Sequence, residues 1–148
     1  MVKKILVATD GSDHARRTIE LASDMAVQDG AALYLLHVVS ETEIPEEVLK
    51  YIRVEKFEEP PERVYLHKVG EGIIAAAEKE ARDKGVEEVQ STVVQGDPAE
   101  VIINFGREKG VDMIMLGSRG LGQVKGMLLG SVSNKVCHVA DCTCVTVK

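Results

Sequence analysis

Apolar positions along this chain follow two alternating rhythms. Residues 3–9, KKILVAT, make a short run of branched side chains, as in a strand buried on both faces. After Asp10-Gly11-Ser12 the interval lengthens. Ala15, Ile19, Ala22 and Ala26 recur at helical spacing, with Ser12 placed to cap that helix and Gly30 to end it. Residues 32–39, ALYLLHVV, read as a second buried strand. Residues 40–60 are polar and acidic with scattered apolar positions, and are expected to hold a loop and one short helix. Beyond Pro60 and Pro61 a long helix is predicted, with Val69, Ile73, Ala76 and Ala77 on its apolar face. It runs to about Lys84 and stops at Gly85. Residues 87–95 form a third strand with weaker alternation.

The next helix announces itself through its first residues, GDPAEVI. Asp97 is placed to cap, Pro98 takes the first helical position, and Glu100 sits where a capping-box acid belongs. Val101, Ile102 and Phe105 supply its apolar face, and Gly110 stops it. Residues 111–117, VDMIMLG, are a fourth strand. Val132, Val136 and Val139 then form a helical stripe, and residues 142–148, CTCVTVK, close the chain as a fifth strand.

Strands alternating with helices at this spacing specify an α/β fold: a doubly wound five-stranded parallel sheet with helices on both faces and strand order 3-2-1-4-5. In such folds a ligand sits beyond the carboxyl ends of the strands, where the strand order reverses. The first and fourth strands flank that point, and their ends read TDGS and LGSRG.

Composition narrows the classes. The 148 residues suit a single domain spanning 1–148, with 45% hydrophobic and 28% charged residues. A net charge of -6 argues against a nucleic-acid polymer or an anionic membrane as partner, while leaving room for a small anion in a local pocket. No apolar run approaches a membrane span, and the apolar stretch after Lys3 and Lys4 is too short for a secretion signal, so a cytoplasmic location is expected. Cys137, Cys142 and Cys144 are odd in number and clustered, without a Cys-x-x-Cys pair. They are read as small packing residues, Cys142 and Cys144 facing the same way along the last strand.

The segment between the fourth strand and the last helix, GSRGLGQVKGMLLGSVS, carries Gly117, Gly120, Gly122, Gly126 and Gly130, then Ser131 and Ser133. Glycines remove side chains that would block a ligand, and a helix start offers unpaired N–H groups and the positive end of the dipole. Together they suit a phosphate chain. Hydrogen bonds to a charged group contribute about 1.5–3 kcal/mol each, so three or four hold a triphosphate without a dedicated lysine. The common phosphate loops fit badly, since there is no Gly-Lys-Ser/Thr, and the first strand ends in TDGS rather than a dinucleotide fingerprint. Asp10 there is a poor neighbour for pyrophosphate but a good acceptor for ribose hydroxyls, or a ligand for a divalent ion.

At these residues the sequence resembles a known family. Gly117, two residues, Gly120, nine residues, then Gly130-Ser131 is similar to the nucleotide-binding signature of the universal stress proteins, Gly-x2-Gly-x9-Gly-Ser/Thr. KKILVATDGS, LHVV, GDPAEVI and VDMIMLGSRG extend the likeness over essentially the whole chain. The resemblance implies an adenine nucleotide alpha hydrolase-like fold and ATP as ligand, with Mg2+ or Mn2+ accompanying the phosphates. It places Asp10 near ribose with Thr9 beside it, and Val38 against adenine through backbone groups. Gly117, Gly120, Gly130, Ser131 and Ser133 would surround ribose and phosphates, with Leu116 and Val132 nearby. It further implies a homodimer through the C-terminal strand, an exposed sheet edge being open to pairing. Gly122 and Gly126 depart from the pattern as extra glycines inside the spacer.

Arg119 and Lys125 are more often solvated than phosphate-bound, His37 is expected to be a satisfied core residue, and His14, His37, His67 and His138 share no metal-site spacing. Asp13 is a candidate cap rather than a ligand group. Three functions compete: a nucleotide-dependent stress-response protein, a slow ATPase or nucleotidyl hydrolase, and a dimeric interaction module acting through residues 41–60.

Overall fold

A computed structural model of the chain describes residues 1–40, 46, 47, 50, 64, 66–120 and 130–148. Its frame is a sheet of β1 (Lys4–Ala8), β2 (Ala32–Val39), β3 (Val89–Gln95), β4 (Met113–Gly117) and β5 (Thr143–Val147). The order is β3-β2-β1-β4-β5 and every pairing is parallel. β1 is central, with Ile5 aligned to Leu33 on one side and Met113 on the other. The expected order and parallel pairing are therefore present.

Side-chain alternation along the strands sorts the core into two layers. Ile5, Val7, Leu33, Leu35, Met113 and Met115 face α1 (Asp13–Asp29) and α2 (Glu71–Asp83), meeting Ile19, Ala22, Ile74 and Ala77. Leu6, Leu36, Ile114 and Leu116 face α3 (Pro98–Lys109) and α4 (Ser131–Val139), meeting Ala99, Ile102, Ile103 and Val136. Cover on both faces explains why β1, β2 and β4 read as unbroken apolar runs.

The helix ends follow local chemistry. Ser12 Oγ accepts the Ala15 N–H at 3.2 Å, and the helix closes at Gly30 with φ of 65°. Asp97 accepts the Glu100 N–H at 3.0 Å, with Pro98 in the first turn and Gly110 ending the helix at φ of 62°. Ser12, not Asp13, is the cap of α1.

Three apolar faces differ from expectation. The chain enters α2 through a π-helical turn, Leu66–Gly70. That wider turn rotates the residues after it, so α2 buries Ile74, Ala77 and Ala81 while Ile73 is only partly covered and Ala76 is exposed. α3 buries Ala99, Ile102, Ile103 and Gly106, leaving Val101 and Phe105 partly covered at its flank, where Phe105 packs edge-on against Tyr34 at 6.4 Å. In α4 only Val136 of the three valines is buried, Val139 is exposed, and Ser133 takes a buried position instead. α4 is short and flanks the sheet edge, so its last turn has little sheet to cover. β3 begins at Val89 rather than residue 87. Most of residues 41–60, together with Pro60, Pro61, Gly122, Lys125 and Gly126, lies outside the described residues.

Candidate functional site

The carboxyl end of β1 is where the chain stops being a strand and becomes a set of hydrogen bonds. The Thr9 N–H still reaches Leu36 O at 2.9 Å, extending the ladder by one residue. Asp10 then turns its carboxylate back, and Oδ1 accepts the Ser12 N–H at 2.9 Å. Gly11, at φ of 81°, makes that reversal possible, and its N–H donates to Thr9 Oγ1 at 3.3 Å. From β2, His37 adds a brace. Its Nδ1 lies 2.8 Å from Thr9 O, and because a carbonyl only accepts, Nδ1 carries the proton. His37 is buried, but Nε2 has no hydrogen-bond partner among the described residues, which departs from the expectation of a satisfied core histidine. One ring nitrogen is used by the β1 turn, and the other faces a surrounding that includes Val93 and Gly70.

The end of β4 is bound as tightly. The Ser118 N–H donates to Val147 O at 2.7 Å. Ser118 O accepts both the Gly130 N–H at 2.7 Å and the Ser133 hydroxyl at 3.2 Å. One carbonyl thus joins the two ends of the glycine segment. On its other side the Ser118 hydroxyl lies 3.1 Å from His14 Nδ1 in the first turn of α1.

Close approach explains two glycines. A Cβ on Gly117 would stand 2.9 Å from His14 Cβ and 3.2 Å from Ala15 N. A Cβ on Gly120 would run into Asp10 Oδ2, far inside van der Waals contact. The backbone at Gly120 therefore lies directly over the Asp10 carboxylate. α4 is preceded by Gly130, which has no side chain to cap it, so no cap of that kind competes with a ligand for the first N–H groups of the helix.

These pieces border one cleft at the carboxyl ends of β1, β2 and β4, of about 690 Å³ counted to its open mouth. Thr9, Asp10, Val38, Leu116, Gly117, Gly120, Gly130, Val132 and Ser133 all line it. Of the expected residues Ser131 alone stands apart, exposed at the first position of α4 while Val132 and Ser133 turn inward. Sequence reasoning missed Ala8, Ala15, Leu36, Pro98 and Ile102 on the walls. Pro98 and Ile102 had a readable signal, since a capped helix start beside a strand end brings its first inward-facing residues to the mouth of the sheet. Arg119 is outside the lining, and Lys125 is outside the described residues. Among the described residues no group of three or more His, Cys, Asp or Glu is placed to hold a metal ion. No helix among them is long and apolar enough to cross a membrane.

Three comparisons set this cleft beside known proteins. The family model described as the universal stress protein family matches residues 1–148. Universal stress protein YxiE of Bacillus subtilis is 36% identical over 159 residues, covering all of both chains. The solved structure of protein MJ0577, from Methanocaldococcus jannaschii, superposes with a TM-score of 0.80 at 30% identity, over 100% of this chain and 96% of that one. A universal stress protein of Archaeoglobus fulgidus, solved in complex with dAMP, shares the fold at a TM-score of 0.67 and 21% identity over the full length of both chains.

Proposed function

The chain belongs to the universal stress protein family, and on that premise we propose that it is an ATP-binding member whose bound nucleotide governs a role in the stress response. One observation carries the reading. Nine of the ten residues singled out from the sequence, distant along the chain, line a single cleft at the strand-order reversal.

The cleft divides by chemistry. Leu36, Val38, Pro98 and Ile102 make an apolar wall suited to the faces of a purine, with the Val38 backbone at its edge. Asp10, held by Ser12, offers carboxylate oxygen to ribose hydroxyls beside Thr9. Gly117 and Gly120 let a phosphate chain pass close to the backbone, and the uncapped start of α4 at Gly130 receives its negative end. The fold neighbour solved with dAMP supports an adenine nucleotide. The glycine segment and the helix start favour a polyphosphate over a monophosphate. A Mg2+ or Mn2+ ion would be held mainly by phosphate oxygens and water, with Asp10 the only carboxylate among the described lining residues.

Calorimetric titration with ATP and AMP tests this reading. Saturable ATP binding, tighter than AMP, is expected for the native chain. Gly120→Val should abolish it while far-UV circular dichroism is unchanged, because the new side chain meets Asp10 rather than the core. A native chain that fails to bind ATP at millimolar concentration overturns the proposal.

β5 is an edge strand, and its exposure supports a homodimer formed by pairing through that edge. Sedimentation should give twice the monomer mass. A monomer at every concentration would overturn it.

A further inference from the structure

A second hollow opens on the other face of the sheet from the apolar wall of the cleft. It lies between α1 and α2 and holds about 800 Å³ counted to its open mouth. Thr9, Gly11 and Ser12 border it at the start of α1, and Thr9 is the one described residue it shares with the cleft. Its walls are apolar. Ile19 and Ala77 are buried, while Val69 and Ile73 are only partly covered. The π-helical turn that takes Ile73 out of the core leaves it lining this hollow.

Two charged side chains complete the lining, Arg16 from α1 and Glu80 from α2. Among the described residues neither side chain has an ion pair or a hydrogen bond. One turn further along the same two helices the charges are matched. Lys84 Nζ lies 2.7 Å from Asp24 Oδ1 and 3.7 Å from Glu20 Oε1. Opposite charges are thus compensated below the hollow and left uncompensated at it.

We propose that this hollow is a second ligand site, for a free α-amino acid with an apolar side chain. Arg16 pairs with the ligand's carboxylate and Glu80 with its ammonium, and the apolar side chain covers Ile19, Ile73 and Ala77. Two features select this class. A partly open apolar wall favours an apolar body that takes it out of water. A guanidinium and a carboxylate from neighbouring helices, each without a protein counter-charge, match a ligand that carries both charges. A fatty carboxylate would satisfy Arg16 but bring like charge to Glu80, and an apolar amine would do the reverse.

NMR titration of the isotope-labelled chain with L-leucine tests the site. Saturable shifts are expected at the amides of Ile19, Ile73 and Ala77. N-acetyl-leucine lacks the ammonium and leucinamide lacks the carboxylate. Each should bind about tenfold more weakly or worse, the effect of losing one charged hydrogen bond. Arg16→Gln and Glu80→Gln should weaken leucine binding by a similar factor. Ala76→Phe should abolish it, because Ala76 is an exposed residue of the lining and the larger ring fills the hollow. None of these three side chains is buried, so all three variants should keep the native circular dichroism spectrum. No saturation at millimolar leucine, equal binding of leucine and its two blocked forms, or unchanged affinity in Arg16→Gln and Glu80→Gln would overturn the proposal.

Discussion

The carbonyl of Ser118 accepts the N–H of Gly130 at 2.7 Å, closing the base of the glycine segment with a single backbone bond. Twelve positions apart in sequence, the two residues stand at the end of β4 and the start of α4. The Ser133 hydroxyl reinforces the closure by reaching both Ser118 O and Gly130 O at 3.2 Å. The mouth of the cleft is thus fixed at its base, whatever passes above it.

Ser133→Ala removes that reinforcement but leaves the Ser118–Gly130 bond. The loss should be about 0.5–1.5 kcal/mol, the ordinary contribution of one such hydrogen bond. Urea denaturation of the two chains measures it. A variant as stable as the native chain would show that the hydroxyl adds nothing to the closure.

His37→Phe keeps the buried ring and deletes the donor to Thr9 O. With Thr9 itself buried, its carbonyl loses the imidazole donor at a cost of roughly 1–3 kcal/mol. Thermal unfolding should register the drop. Nitrogen-detected NMR of the native chain should find the proton on Nδ1, and a ring protonated on Nε2 alone would contradict the brace.

Asp112 gives the fold an acid-sensitive tie. Its carboxylate accepts the Lys3 and Lys4 N–H groups, each at 2.9 Å, linking the starts of β1 and β4. The Lys3 bond first, then the Lys4 bond, hold its pKa below the usual carboxylate value. A depressed folded pKa means this stabilisation is present above the unfolded value, about 3.9, and is lost as pH falls through the folded value. Between about pH 6 and pH 3 the native chain should therefore lose more stability than Asp112→Asn. Parallel decline in urea midpoints would refute the assignment.

Asp97→Ala should cost about 0.5–2 kcal/mol through loss of the Glu100 N–H cap at the start of α3. Chemical denaturation reads this directly, and Asp97→Ser should recover most of the loss, because a hydroxyl caps the same N–H. Failure of serine to rescue would point to a role for the carboxylate other than capping.

Much of this was written locally. Strand burial on two faces is legible because residues 5–8 and 113–116 are continuously apolar, and a strand covered on one face would alternate. Ser12 and Asp97 are legible because a cap acts on an N–H three residues away. The glycine spacing marked the cleft because close backbone approach forbids a Cβ at Gly117 and Gly120. The phase of α2 was not legible, since the π-helical turn that shifts it leaves no mark in the apolar interval. Leu36 and Ile102 were read as core residues only, because the same apolar position serves a core and a cleft wall equally well.

The sequence by itself determined the order of elements, their caps, the parallel architecture and the place where a ligand would enter. These rest on interactions within a few residues, or on a period that repeats along one element. Tertiary structure alone decided which groups face each other: His37 with Thr9, Asp112 with the amides of Lys3 and Lys4, Ser118 with Gly130 and Ser133. Such pairs depend on the register of strands and the rotation of helices against them, which packing across the whole sheet sets and no short stretch of sequence contains.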